Sequence, residues 1–228
     1  MKKYLASLFL TTQIFAFAGI GAYGNLDMFS VTPPSTSNNI IPEVTVTPES
    51  LDNAAGIGVF FYLDALPIID LEANIEFVGN MYKFTTNLAT ESGEFPWGRV
   101  SGYFTLRKKI MSVGVPFLAK LQLNGGVGYN THTVTPNVTV DFIQNAFSSM
   151  PLEDAASQNF GQDAIIDSLV EYMNDNAINT SGFHVQLGTH AKLLMFNLFA
   201  TARYTVAEDV IAGKSGFPSV WAGLAFGF

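Results

Sequence analysis

GFHVQLGTHAKL, residues 182–193, splits into two unlike faces when it is drawn as an extended chain. Gly182, His184, Gln186, Gly188, His190 and Lys192 fall on one side, and Phe183, Val185, Leu187, Thr189, Ala191 and Leu193 on the other. A strand turns successive side chains to opposite faces, so this alternation marks a strand held between two different environments. The stretch from Ile69 behaves in the same way, with Asp70, Glu72, Asn74 and Glu76 opposing Ile69, Leu71, Ala73, Ile75 and Phe77. A soluble β-sandwich would bury the apolar face against a second sheet. The other solution turns the apolar face to lipid and the polar face into a lumen.

Working outward, eight such segments recur, over about 19–30, 55–64, 69–82, 99–110, 120–130, 182–193, 196–205 and 218–228. Lengths near ten to fourteen residues suit tilted strands that cross a bilayer. The connections alternate in length, with about 25 residues rich in Pro, Ser, Thr and Asn after the first strand and a few around Pro67 after the second. About sixteen follow the third, nine around Pro116 the fourth, fifty the fifth, two or three the sixth and a dozen the seventh. Long loops on one side and short turns on the other are the habit of outer-membrane barrels. A closed ring also leaves no strand edge, and the bilayer tolerates none. The expected fold is therefore all-β, a transmembrane antiparallel up-and-down barrel of eight strands with one long helix-containing external loop. Ten strands stay open, because THTVTPNVTVDF (131–142) contains β-prone stretches that an extra hairpin could use.

Composition agrees. Of 228 residues, 48% are hydrophobic and only 13% charged, where soluble domains carry about a quarter. A net charge of −8 without a basic patch argues against nucleic acid as a partner. No cysteine is present, which removes disulfides, thiolate metal sites and cysteine nucleophiles together. The N-terminus reads as an export signal over residues 1–18: Lys2 and Lys3, an apolar run, then Ala16-Phe17-Ala18 for the peptidase. Its removal would leave 9 basic against 19 acidic residues over 19–228, a net charge of −10.

The last segment, FPSVWAGLAFGF, sets Val220, Ala222, Leu224, Phe226 and Phe228 on one face and ends the chain on Phe228. An apolar residue at every second position before a terminal Phe resembles the assembly signal of outer-membrane β-barrel proteins. PFLAKLQLNGGVGYN (116–130) is similar to a Pro- and Gly-patterned strand of small bacterial barrels of the OmpX/OmpW type, from which Lys120 departs by replacing an aromatic residue. The resemblance implies a small eight-stranded barrel in the outer membrane. Its partners would be outer-membrane lipids and lipopolysaccharide, together with the barrel-assembly machinery that reads the strand ending at Phe228. It names no ligand and no oligomeric state.

Eight strands enclose a space that side chains just fill. Alternation places Asp27, Asp64, Asp70, Glu72 and Glu76 inside, against Arg107, Lys120, Lys192 and Arg203. Charges in a narrow interior survive when paired and hydrogen-bonded, so the near balance predicts a cross-linked structural plug. A proton or ion path through His184 and His190 is the functional alternative. Between 131 and 181 lie seven acids (Asp141, Glu153, Asp154, Asp163, Asp167, Glu171, Asp175) and no Lys or Arg. Within that loop, residues 162–176 carry a helical stripe of Ile165, Ile166, Leu169, Val170 and Met173, fit to pack on the barrel mouth as a lid. The opposite acidic column is either a solvated face or a weak attractor of divalent cations near lipopolysaccharide; it lacks calcium-loop spacing.

Catalytic signatures are missing: no nucleophile elbow and no zinc helix is present, and no serine stands near His132 in the sequence. No cofactor or metal motif is found, and the chain is expected not to be an enzyme. Two non-enzymatic roles follow. One is a plugged barrel with a structural or surface-interaction role through its loops. The other is a narrow channel for small or hydrophobic compounds, lined by Phe60, Tyr62, Tyr103 and Phe199, which alternation also turns inward.

Overall fold

The computed structural model describes residues 18–38, 43–64, 68–87, 92–115, 119–146, 172–173 and 175–227. In chain order these form β1 (Ala18–Val31), β2 (Thr36–Ser37), β3 (Thr45–Pro48), β4 (Leu51–Leu63), β5 (Asp70–Thr86), β6 (Gly93–Val115) and β7 (Ala119–Val134), then α1 (Val140–Ala146), β8 (Ile178–Leu193), β9 (Phe196–Ile211) and β10 (Lys214–Gly227). β1 and β4 to β10 pair antiparallel, each with the next. The ring closes where β1 meets β10, from Gly19 opposite Gly227 to Asp27 opposite Ser219. Following the pairing once around returns to β6 about ten residues from the start, the stagger that tilts the strands of a closed barrel.

The eight strands expected from alternation are the eight strands of the ring, and most run further. β6 extends from Gly93 to Val115, not 99 to 110, and β9 and β10 nearly meet. Their connection is a two-residue turn at Ala212 and Gly213 (φ +67°) and not the dozen residues expected. Alternation fades there because Ala207, Val210, Ile211 and Phe217 all enter one apolar core. Asp209, at φ 60°, bulges the strand on its way to the turn. The extra hairpin allowed within 131–142 does not form: Thr131 to Val134 complete β7 and α1 follows. A short hairpin, β2 with β3, lies instead in the first long loop, with β3 paired to the top of β5.

Apolar side chains cover the outer wall. Val59, Phe61, Ile75, Phe77, Phe104, Val127, Phe183, Val185, Leu198 and Leu224 are exposed, with many more at the same parity. Water-soluble monomers rarely expose contiguous apolar patches beyond a few hundred Å². A sandwich would have covered these residues with a second sheet, and among the described residues every strand belongs to one sheet. The fold is a transmembrane β-barrel. The free ends of β1 and β10 lie at one end with the connections after β4, β6 and β8; the long loops after β1 and β7 lie at the other with the connection after β5 and the turn at Ala212 and Gly213, the ends that in such barrels are periplasmic and external.

The external mouth is filled. Val44 and Val46 beside and on β3 pack with Leu51, Val78, Tyr82, Phe84, Phe95, Trp97, Phe142, Ile143 and Phe217. Thr139 starts α1 as its N-cap, its hydroxyl oxygen accepting from the Phe142 amide at 3.1 Å. Two more ties hold the segment: the Tyr82 hydroxyl accepts from Val138 N at 2.9 Å and the Thr36 hydroxyl from Val140 N at 3.0 Å. Tyr172 and Met173, helical at the far end of the 131–181 loop, rest on this core, and Tyr172 meets Phe142 edge to face at 4.7 Å. Of the expected 162–176 helix, residues 162–171 and 174 lie outside the described residues, as do residues 1–17 and Phe228.

Close packing of wall and lumen is tested at Gly128, where a Cβ would run into the Phe104 carbonyl and the His184 ring. Backbone cannot yield inside a ladder, so Gly128→Val is expected to abolish the heat-dependent gel mobility shift of the refolded barrel. Gly213→Val strains only the left-handed turn, by about 1–2 kcal/mol, and is expected to keep the shift.

The lumen as candidate functional site

Inward residues of every strand converge in the lumen, because side chains of one parity have nowhere else to go. Six buried charges, Asp27, Glu72, Glu76, Arg99, Arg107 and Arg203, make three of each sign. Arg99 sits between two carboxylates, 2.7 Å from Asp27 Oδ2 and 2.7 Å from Glu76 Oε1. Its Nε adds a bond of 2.9 Å to Asp27, and it donates to the Ser101 hydroxyl. Glu76 also accepts from the Tyr23 hydroxyl at 2.7 Å and has Arg203 Nη1 at 3.5 Å. Asn25 donates to Asp27 at 2.9 Å. Arg203 lies over the Tyr103 ring, 3.8 Å from its centre, so a cation–π contact replaces part of the lost hydration.

A second ionic layer stands nearer the termini. Arg107 bonds Asp64 at 2.6 Å and Glu72 at 3.1 Å, and its guanidinium lies near the rings of Tyr62 and Phe199. Gln186 links the layers, donating to Glu72 at 3.1 Å while accepting from Arg203 Nε at 3.3 Å. Alongside lies an aromatic cluster of Tyr23, Phe60, Tyr62, Phe199 and Trp221. Its rings touch one another, Tyr23 with Trp221 at 4.8 Å and Phe60 with Phe199 at 4.9 Å. Between Glu72, Arg107, Asn124, Gln186 and Thr201 a cavity of about 10 Å³ remains, room for a single water.

All three histidines face inward, and two share one chain of hydrogen bonds. Ser101 Oγ lies 2.7 Å from His132 Nδ1, and His132 Nε2 lies 2.9 Å from Asn130 Oδ1. Asn130 Nδ2 reaches His184 Nδ1 at 3.4 Å, and His184 Nε2 meets Thr105 Oγ1 at 2.9 Å. An amide oxygen only accepts and an amide nitrogen only donates, so Asn130 fixes His132 as the Nε2–H tautomer and leaves His184 Nδ1 bare. His184 then carries its proton on Nε2, toward Thr105 Oγ1. Asn130, which has no exchangeable acid or base function, breaks any relay between the two rings. His190 stands apart, 2.7 Å from Asn197 and stacked on Phe199 at 4.2 Å.

Of the residues expected inside, Asp27, Glu72, Glu76, Arg107 and Arg203 meet in this network, and half-buried Asp64 closes it at the terminal end. Asp70 and Lys192 are half-buried at the rim, and Lys120 is exposed beside Lys192 in the ladder. Arg99 was missed, although it opens the segment 99–110 at the parity of Arg107. The serine missing near His132 in sequence arrives across the ladder, as Ser101 is the register partner of His132. Both are buried, at 1% and 2% exposure. Among the described residues no cluster of metal-ligating side chains is present. Of the loop acids, Asp141 and Asp175 are exposed and the other five lie outside the described residues.

A closed ring of eight strands, apolar outside and cross-linked by ion pairs inside, defines a small outer-membrane β-barrel protein. No family model matches the chain, and no curated protein does. Among solved structures, the chain is similar to the outer membrane protein OprG of Pseudomonas aeruginosa, at 14% identity and a TM-score of 0.50, over 93% of this chain and 94% of that one. Neisserial surface protein A (NspA) matches at 10% identity and 0.43, covering 93% and 97%. Ail of Yersinia pestis, crystallised with the heparin analogue sucrose octasulfate, matches at 12% and 0.39, covering 92% and 97%. At these identities the likeness concerns the fold.

Removing one partner from a buried ion pair strands the other charge and costs about 3–5 kcal/mol. Arg99→Met is therefore expected to lower the urea midpoint of the barrel in lipid vesicles sharply. Adding Asp27→Asn and Glu76→Gln to Arg99→Met should recover most of that loss. An unchanged midpoint for Arg99→Met would remove the network from the stability of the fold.

Proposed function

We propose that this protein is an outer-membrane barrel with a sealed lumen, exported through residues 1–18, whose role is structural or lies in surface contacts made by its external loops. The observation that carries this reading is the continuous filling of the interior. The ionic layer of Arg107 with the aromatic cluster beside it, the ionic layer of Arg99 and the apolar core under α1 succeed one another from the periplasmic to the external end. Moving an ion through them means breaking Arg99 from both carboxylates in a medium where an unpaired charge is costly. The inward aromatics Phe60, Tyr62, Tyr103 and Phe199 are spent on one another and on arginines, which disfavours the channel for hydrophobic compounds.

Outer-membrane lipids meet the apolar wall, and lipopolysaccharide is the neighbour of the external rim. The assembly machinery would read the strand that ends at Phe228. Activity as an enzyme is not part of the reading, because Ser101 and His132 are enclosed on every side. His132→Ala is accordingly expected to leave the lipid profile of the outer membrane unchanged; a lost lipid modification would reverse this.

Planar-bilayer recording on the refolded mature protein tests the seal. No steady current is expected. Paired substitution of Phe142→Asp and Ile143→Asp should loosen α1 from the mouth, yet the ionic layers beneath should still hold current near baseline. Discrete openings in the unsubstituted protein would put the channel reading first.

A further inference from the structure

At the end that holds the termini, β6 outruns its neighbour. Its pairing with β5 stops at Arg107 opposite Asp70, whereas its pairing with β7 continues from Lys109 opposite Asn124 to Val115 opposite Ala119. Residues 108–115, about 25 Å of strand at 3.3 Å per residue, thus keep one open edge among the described residues. Unpaired N–H and C=O groups are not stable in hydrocarbon, so this edge belongs beyond the acyl chains, on the periplasmic side. Yet past Lys108 its outward face is apolar: Met111, Val113 and Val115, with Leu121 across the ladder, are all exposed. An open, apolar strand edge in water is a template for another strand.

We propose that the edge of β6 over residues 108–115 docks an extended acidic segment of a partner protein, added as a strand on the periplasmic side. Charge selects the partner. Lys108, Lys109 and Lys120 are exposed around this edge, and Lys192 stands opposite Lys120 in the ladder. Arg107 is held by Asp64 and Glu72, which leaves Asp70 as the nearby carboxylate outside that pairing. The excess is positive, in a chain of net charge −8. Lipid headgroups fit less well, because a phosphate accepts from N–H groups but gives nothing to the carbonyls of the edge. A second copy would bring four more lysines to the same seam. An added strand with apolar residues on its outward side and carboxylates on the other satisfies edge, face and charge together.

The test uses the refolded full barrel in phosphatidylcholine nanodiscs and two labelled peptides, one alternating glutamate with valine and one alternating lysine with valine. Saturable anisotropy is expected for the glutamate peptide, with Kd raised at least tenfold by Lys108→Glu combined with Lys109→Glu. Heat-modifiable mobility checks that the variant is folded. The chain has no cysteine, so Val113→Cys offers one thiol, which should form a disulfide with a cysteine placed in the peptide; Val59→Cys, on the wall of β4, should not. No saturable binding, equal binding of the lysine peptide, or binding indifferent to the charge reversal would overturn the proposal. Barrels that dimerise without peptide and cross-link through Val113→Cys would assign the edge to a second copy and overturn it as well. None of these outcomes depends on whether the lumen conducts.

Discussion

Satisfying the backbone inside hydrocarbon is the constraint on which the rest of this structure depends. Every N–H and C=O in the wall needs a partner strand, and only a closed ring supplies one on both sides. Closure at the β1–β10 seam, with a stagger of about ten residues, fixes which residues share each level of the lumen. Once that is set, inward side chains must satisfy one another, because neither lipid nor bulk water can do so. The three arginines and three carboxylates of the interior follow from that confinement.

The same constraint explains where the wall gives way to something else. Above the bilayer the strands continue into an apolar core capped by β3 and α1, where both water and protein are available and strict alternation is no longer required. Below it, β6 runs on past the start of β5, and among the described residues that stretch keeps one edge open, which the inside of a bilayer would not tolerate.

Function is read from how the interior is filled and not from the fold, since barrels of this architecture serve unrelated roles. Here a gap between Arg107, Asn124 and Thr201 has room for about one water. Asn130 holds His132 and His184 in fixed tautomers, and Tyr103 lies flat under Arg203. These contacts rigidify the lumen.

Alternation along 182–193 and 69–77 determined by itself that these segments are strands held between two unlike environments, and the closed ring decided between a second sheet and lipid for the apolar face. Alternation also turned Asp27, Glu72, Glu76, Arg107 and Arg203 inward, along with Phe60, Tyr62 and Phe199. Tertiary structure decided the pairing: Arg99 with Asp27 spans 72 positions of sequence, and Ser101 reaches His132 only through the register of β6 on β7. It also decided the ends of the strands, the two-residue turn at Gly213 and the exposure of Lys120. Parity is a local property of the backbone, visible in any few residues. Register and stagger belong to the closed ring and come into being only when its last strand meets its first.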